Sequence, residues 1–268
     1  QRVYKSWDKN IKLLYWLAMG ARTTQIIPSI LSGNGTVLSQ SPKITEAFAD
    51  FYRDLYAFKE RPQAELKHPL VWDFALPRLG RAESSNLDSP ISLEEVSLAV
   101  REVNSGKTPG PDGFPTEFYR SYDEITSPHL LSSFVEAIED TSFPSEVNCA
   151  TIVVLHKAGH PPERCSSYRP ISLINSELKI FARILAARLL TVLPSLVHSD
   201  QCGFMPLRST RHCIRRLHSA VAGLGELGGS RALLLIDFEK AFDTVDWGYL
   251  DTLLEKFGFG PYFRSCIR

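Results

Sequence analysis

The sequence is short of the features that mark several protein classes. Its five cysteines among 268 residues, Cys149, Cys165, Cys202, Cys213 and Cys266, are widely spaced and never in a C-x-x-C pair. That pattern excludes a small disulfide scaffold and reads as reduced, intracellular thiols. Long apolar runs are missing too. The longest uncharged one near the start, Leu13 to Ala21, is about half of the ~20 residues that cross a bilayer. No secretory signal, internal repeat or low-complexity tract is visible. Net charge is absent, with 30 Lys plus Arg against 30 Asp plus Glu. Together with 44% apolar residues, this describes an ordinary globular chain of one large domain or two modest ones, long enough to bury a sizeable core. Three chemical signatures also fail. Gly106-Lys107-Thr108 ends like a phosphate-binding loop, but Arg101 stands where the first glycine belongs and Pro109 where a helix should begin. His156, His160 and Cys165 lack a fourth zinc ligand, and a hairpin turn accounts for them. No G-x-S-x-G elbow accompanies the serines and histidines.

What is present is segregated charge. Residues 1–80 carry +4, 81–150 carry −9, 151–220 carry +7 and 221–268 carry −2, so the neutral total conceals a basic middle. The periodicity is mostly helical. Residues 1 to 21 look helical, and a hairpin is expected around Gly33-Asn34-Gly35. Ser41-Pro42 opens a helix with Ile44, Phe48, Phe51, Leu55 and Phe58 on one face. Residues 60 to 90 lack periodicity and read as a connector. Ser92-x-x-Glu95 is a capping box opening a helix with Val96, Val100 and Val103, ended by Gly106. Gly106 to Phe114 holds three Gly and two Pro in nine residues and must turn tightly. A helix is expected from Ser127-Pro128, then strands Thr151 to His156 and Tyr168 to Leu173. A long helix from Ser176 to Leu193 buries Leu178, Phe181, Ile184, Leu185, Leu189 and Val192. A basic helix follows over Ser209 to Leu224, then a buried strand over Arg231 to Phe238 and a helix from Trp247 to Phe257 stopped by Gly258. The sum is a helix-rich α+β chain.

The strongest chemical signal is Ala232-Leu-Leu-Leu-Ile-Asp237-Phe-Glu-Lys-Ala-Phe242-Asp243. An acidic residue leaving a buried strand is a usual place for a metal-binding carboxylate, because the strand fixes its backbone and low-dielectric surroundings strengthen the ion contact. Taken alone, Asp237 serves equally well as the cap of a following turn, and Asp243 as the cap of the next helix.

Ile236 to Asp243 closely resembles the first palm motif of reverse transcriptases, in the form found in non-LTR (LINE-type) retrotransposons. Further blocks of that family stand in order. Lys107-Thr-Pro-Gly-Pro-Asp-Gly-Phe114 with Glu117-Phe-Tyr119 resembles the fingers loop. Ile152 to Gly159 and Tyr168-Arg-Pro-Ile-Ser-Leu173 resemble the fingers strands. Asp200-Gln-Cys-Gly-Phe204 resembles the block between fingers and palm. Phe51-Tyr-x-x-Leu-Tyr56 and Leu76-Pro-Arg-Leu79 resemble the extension that joins endonuclease to polymerase.

The resemblance implies a right-hand polymerase: residues 1–90 as the extension and 91–268 as an incomplete polymerase domain, with fingers over about 91–228 and the start of a palm over about 229–268. It also implies two magnesium ions about 4 Å apart that activate a primer 3′-hydroxyl and stabilise the leaving pyrophosphate. Asp237 matches the first metal ligand, and the Phe238 carbonyl a second contact. Phe242 matches the steric gate that leaves no room for a 2′-hydroxyl; by pattern alone it is a core aromatic. Lys157 and Arg169 match the cations that close over the deoxynucleoside triphosphate, where solvated surface charges are the simpler reading. Arg208, Arg211, Arg215 and Arg216 lie on or before one helix and suit the backbone of an RNA template and DNA primer, or a solvated face. Lys107 and the backbone N–H groups of its loop suit the template strand.

The resemblance also breaks. The family's second metal-binding pair, Ala-Asp-Asp, is missing: only 31 residues follow Asp237, and none of their acids forms an Asp-Asp pair. One carboxylate cannot hold two magnesium ions. The expectation is therefore a reverse transcriptase cut inside its palm and inactive as an isolated chain, with a non-catalytic nucleic-acid-binding remnant as the competing reading. An unpaired palm edge prone to self-association is expected, no membrane span, and by resemblance a nuclear or cytoplasmic ribonucleoprotein setting.

Overall fold

The computed structural model describes residues 26–33, 35–57, 76–224, 232–238 and 240–268. The expected N-terminal helix, Asn34 and Phe58 lie outside them. The chain divides into two compact units, one containing residues 26–57 and 154–170, the other the remaining described residues. Among the described residues the fold is helix-rich with two two-stranded sheets, in agreement with α+β.

In the first unit, β1 (Ile30–Leu31) and β2 (Val37–Leu38) form the expected antiparallel hairpin, with Ile30 opposite Leu38 and Leu31 opposite Val37. Gly35 at φ 83° supplies the left-handed turn residue. Helix α1 (Ser41–Tyr56) has Pro42 in its first turn, where no N–H is needed. It buries Ile44, Phe48 and Tyr52 against Ile30 and Tyr168. Phe51 and Leu55 pack at the margin of this cluster. Phe48 meets Tyr168 edge to face at 5.1 Å.

The second unit begins with a departure. Part of the expected connector is helix α2 (Arg81–Leu87), which is capped by Glu83 on the Gly80 N–H and anchored by buried Leu87. Seven mostly polar residues are too few to display a period. Helix α3 (Leu93–Glu102) carries the capping box as expected: Ser92 Oγ accepts from Glu95 N at 3.3 Å and Glu95 Oε2 from Ser92 N at 2.9 Å. Helix α4 (Thr116–Ser121) precedes α5 (Asp123–Glu139), which starts four residues before the expected Ser127 and carries Pro128 internally. The Asp123 carboxylate, bonded to Ser97, Arg101 and Ser127, holds that first turn. Burial pushes this carboxyl up, but the hydroxyls of Ser127 and Ser97 and the Arg101 guanidinium outweigh it and hold it below its ordinary value.

Strands β3 (Ala150–His156) and β4 (Tyr168–Ile174) are hydrogen-bonded neighbours close to their expected bounds. Helix α6 (Ser176–Leu196) runs through Pro194, three residues beyond the expected end. Helices α3, α5 and α6 enclose the core, with Val96, Val100, Leu130, Phe134, Ile180 and Ile184 at its centre. Helix α7 (Thr210–Leu224) is the expected basic helix. Helix α8 (Trp247–Phe257) is stopped by Gly258 at φ 89° as expected, and α9 (Pro261–Ile267), unanticipated, buries Phe263. The Leu79 amide donates to the Phe257 carbonyl at 2.8 Å, so residues far apart in sequence close this unit.

The largest correction concerns residues 232–238. They form no strand and belong to no sheet, and Leu234 and Leu235 are 79% and 78% exposed. An apolar run becomes a buried strand only where a neighbour accepts its ladder and a layer covers it. The described strands pair only with each other.

Candidate functional site

The Asp237 segment leads into a turn in which the Asp243 and Thr244 amides donate to the Lys240 carbonyl at 2.9 and 3.1 Å. Phe238 and Phe242 are exposed. Phe242 meets Phe204 edge to face at 6.1 Å, which joins the segment after Asp237 to the end of the Asp200–Phe204 block. Among the described residues no group of three or more His, Cys, Asp or Glu side chains could hold a metal ion. One carboxylate and one carbonyl do not fill the octahedral shell of magnesium, so the described residues do not fit a two-ion centre.

Lys157 and Arg169 belong to the first unit, at adjoining ends of β3 and β4. The Lys157 amide donates to the Ser167 carbonyl at 2.8 Å and its Nζ to the Ser166 carbonyl at 2.9 Å. The ammonium thus secures the turn, while the Arg169 side chain is exposed and makes no hydrogen bond among the described residues.

The basic segment divides by role. Arg208 donates to the carbonyls of His198 at 2.6 Å, Gln201 at 3.0 Å and Val197 at 3.3 Å, shaping the loop before α7. Arg216 pairs with Asp200. These ties fold the loop against α7, and Cys202 is disulfide-bonded to Cys213. That corrects the expectation that all five cysteines are reduced: Cys149, Cys165 and Cys266 are the free ones. The parts close the gap between two cysteines that spacing alone leaves unrelated. Arg211 and Arg215, exposed and four residues apart on α7, have no side-chain hydrogen bond or ion pair among the described residues.

The Gly106–Phe114 loop is a defined structure. Gly106 and Gly113 take positive φ, 69° and 77°, and the Gly113 amide closes on the Gly110 carbonyl at 3.1 Å. The Gly106 amide donates to Glu117, which holds that carboxyl below its ordinary value. Lys107 is exposed beside it. Sequence reasoning missed the residues behind the loop: Asn175, 2% exposed, Ser176 and Lys179. The one signal available was an Asn directly before a helix, the pattern of a cap.

Residues 155–268 match the family model described as reverse transcriptase (RNA-dependent DNA polymerase). The resemblance drawn from the motifs is borne out. The chain is 29% identical over 261 residues to the transposon TX1 uncharacterized 149 kDa protein of Xenopus laevis, covering 97% of this chain and 20% of that protein. It is 28% identical over 176 residues to the probable RNA-directed DNA polymerase from transposon BS of Drosophila melanogaster, covering 65% of this chain and 19% of the relative. It is 27% identical over 185 residues to the RNA-directed DNA polymerase from mobile element jockey of the same species, covering 65% and 20%. The chain thus spans about a fifth of the length of the curated relatives it matches.

Proposed function

We propose that this chain is part of an RNA-directed DNA polymerase of a non-LTR retrotransposon, supplying the fingers and the first palm motif. The observation that carries this reading is the family match over residues 155–268, a range that contains Ile236 to Asp243. In this reading residues 1–90 are the extension, about 91–228 the fingers and about 229–268 the start of the palm. The partners are an RNA template, a DNA primer and deoxynucleoside triphosphates.

Each candidate residue has a role that its chemistry suits. Asp237, with the Phe238 carbonyl, is the palm's first contribution to a divalent-metal site, and the metal taken is magnesium. Phe242 is the gate beneath the sugar. Arg169, free to offer its planar fork, and Lys157 meet the triphosphate. Lys107, Arg208, Arg211 and Arg215 follow the phosphate backbone, the last two being unencumbered. Among the described residues no helix is long and apolar enough to cross a membrane. The setting is a nuclear or cytoplasmic ribonucleoprotein, and the exposed 232–238 segment favours self-association.

The 268 residues alone are inactive, because the described residues bring no group of three or more metal-ligating side chains together. The experiment is extension of a DNA primer on an RNA template with magnesium and deoxynucleoside triphosphates. No product is expected. Extension that Asp237→Asn abolishes would overturn the inactivity. Failure to bind template-primer at all would overturn the polymerase assignment.

A further inference from the structure

The proposal concerns what holds the Lys107–Phe114 loop, and it rests on the polymerase reading above. Pro109 and Pro111 contribute no N–H, so this loop has few backbone donors with which to fix itself. Its shape comes from the other side. Asn175 Oδ1 accepts from the Asp112 amide at 3.4 Å, while its Nδ2 donates to the carbonyls of Glu146 at 3.1 Å and Val147 at 3.3 Å. One buried amide thereby joins the loop, the segment before β3 and the start of α6. Ser176, fully buried, donates its hydroxyl to the Phe114 carbonyl at 2.7 Å. One turn further, Lys179 Nζ donates to the Thr108 carbonyl at 2.9 Å.

The fit is close. A Cβ on Gly110 would lie 2.1 Å from Asn175 Oδ1 and 2.5 Å and 2.6 Å from its backbone N and Cα. Backbone atoms at the start of a packed helix cannot shift cheaply, so glycine is required here by contact and not by torsion. The three tethers use loop carbonyls and the Asp112 amide. The amides of exposed Lys107 and Thr108 make no hydrogen bond among the described residues, and neither does the Lys107 ammonium.

We propose that Asn175, Ser176 and Lys179 are positioning residues that hold this loop with its unpaired amides and Lys107 presented to the phosphodiester backbone of a single-stranded RNA template. None of the three needs to touch the RNA. A loop already ordered loses less entropy on binding, so loosening it weakens affinity without removing a contact.

The test is binding of a fluorescein-labelled, unstructured single-stranded RNA by the full chain, read by anisotropy, with amide hydrogen exchange and thermal melting on the same samples. Asn175→Ala is expected to expose the Asp112 amide and weaken binding about tenfold, the scale of ordering a loosened loop again on binding. Ser176→Ala, a single-hydroxyl deletion, carries the same expectation at about threefold if Asn175→Ala does not fold. Lys179→Met should weaken binding similarly, and Lys179→Arg, which keeps a donor, should restore it. A purely structural role would lower the melting temperature and leave the affinity of the folded protein unchanged. Variants that bind like wild type with the Asp112 amide exposed would overturn the inference alone. A wild-type Asp112 amide without protection would overturn the clamp itself. A wild-type chain that protects this amide but binds no RNA would overturn the polymerase reading, and the inference with it.

Discussion

Replacing Arg188 by methionine should cost about 3 kcal/mol of stability, because it breaks one buried ion pair and strands three carbonyls. Arg188 sits in the apolar stripe of α6 at 8% exposure. Its Nε and Nη2 grip Glu95 at 2.6 and 2.7 Å, and its remaining contacts are the carbonyls of Leu87 at 3.0 Å, Ser89 at 2.6 Å and Pro90 at 2.9 Å. Methionine keeps the length and apolar stem of the side chain, so little cavity opens. Removing one partner of a buried pair costs about 3 to 5 kcal/mol, and the low end applies because Glu95, 32% exposed, regains water. Burial pushes the Glu95 carboxyl up, but Arg188 and the Ser92 amide outweigh it and hold it below its ordinary value. A depressed carboxylate stabilises the fold above its unfolded pKa and loses that contribution as pH falls through its folded pKa. The gap between wild type and Arg188→Met should therefore narrow in acid. The assay is urea unfolding at neutral and acidic pH, with a double-mutant cycle against Glu95→Gln. The double variant should be less destabilised than the sum of the singles, by about 1 to 2 kcal/mol. A neutral-pH loss below about 1 kcal/mol, or strict additivity, would refute the argument.

Other outcomes follow from single features. Ser92→Ala should lower stability by about 1 kcal/mol in the same unfolding assay, since the capping box loses its acceptor. The Arg264 guanidinium, aided by Arg268, holds the Asp251 carboxyl far below the usual carboxylate range. Stability should consequently fall as pH drops below the ordinary aspartate value, and Asp251→Asn should flatten that acid limb. Alkylation of unfolded, unreduced protein should label three cysteines, Cys149, Cys165 and Cys266, with Cys202 and Cys213 reacting only after reduction. In the native protein Cys266 should resist labelling, because burial pushes its thiol up to about 11.

Local rules carried much of the fold. The 3–4 spacing of Ile44 and Phe48 and the Ser92–Glu95 pair each name an interaction within one helix, and each forms as expected. Gly258 does the same for the end of α8. What escaped depends on distant partners. The apolar run before Asp237 has strand composition, yet a strand is a relation between two segments, and none of the described strands lies beside this one. Arg188 occupies a stripe position that a hydrophobic pattern scores as polar, although five acceptors wait for it. The expected start at Ser127-Pro128 and the expected end at Leu193 both fell short: Pro128 and Pro194 sit inside α5 and α6, where tertiary packing overrides one lost hydrogen bond. The family resemblance was legible as a set of motifs, because it rests on residue types in order along the chain. The support behind its loop was not, because Asn175 and Gly110 meet only in the fold.

The central claim is that this chain is a template-holding part of a polymerase, and the salt dependence of RNA binding tests it most directly. Arg211 and Arg215 are exposed, four residues apart and without side-chain partners among the described residues. Replacing both by alanine should weaken binding and reduce the slope of log affinity against log salt by about 1.4, at ~0.7 per released counterion on a single strand. Binding whose salt slope the double variant leaves unchanged, or no binding by the wild-type chain at low salt, would contradict it.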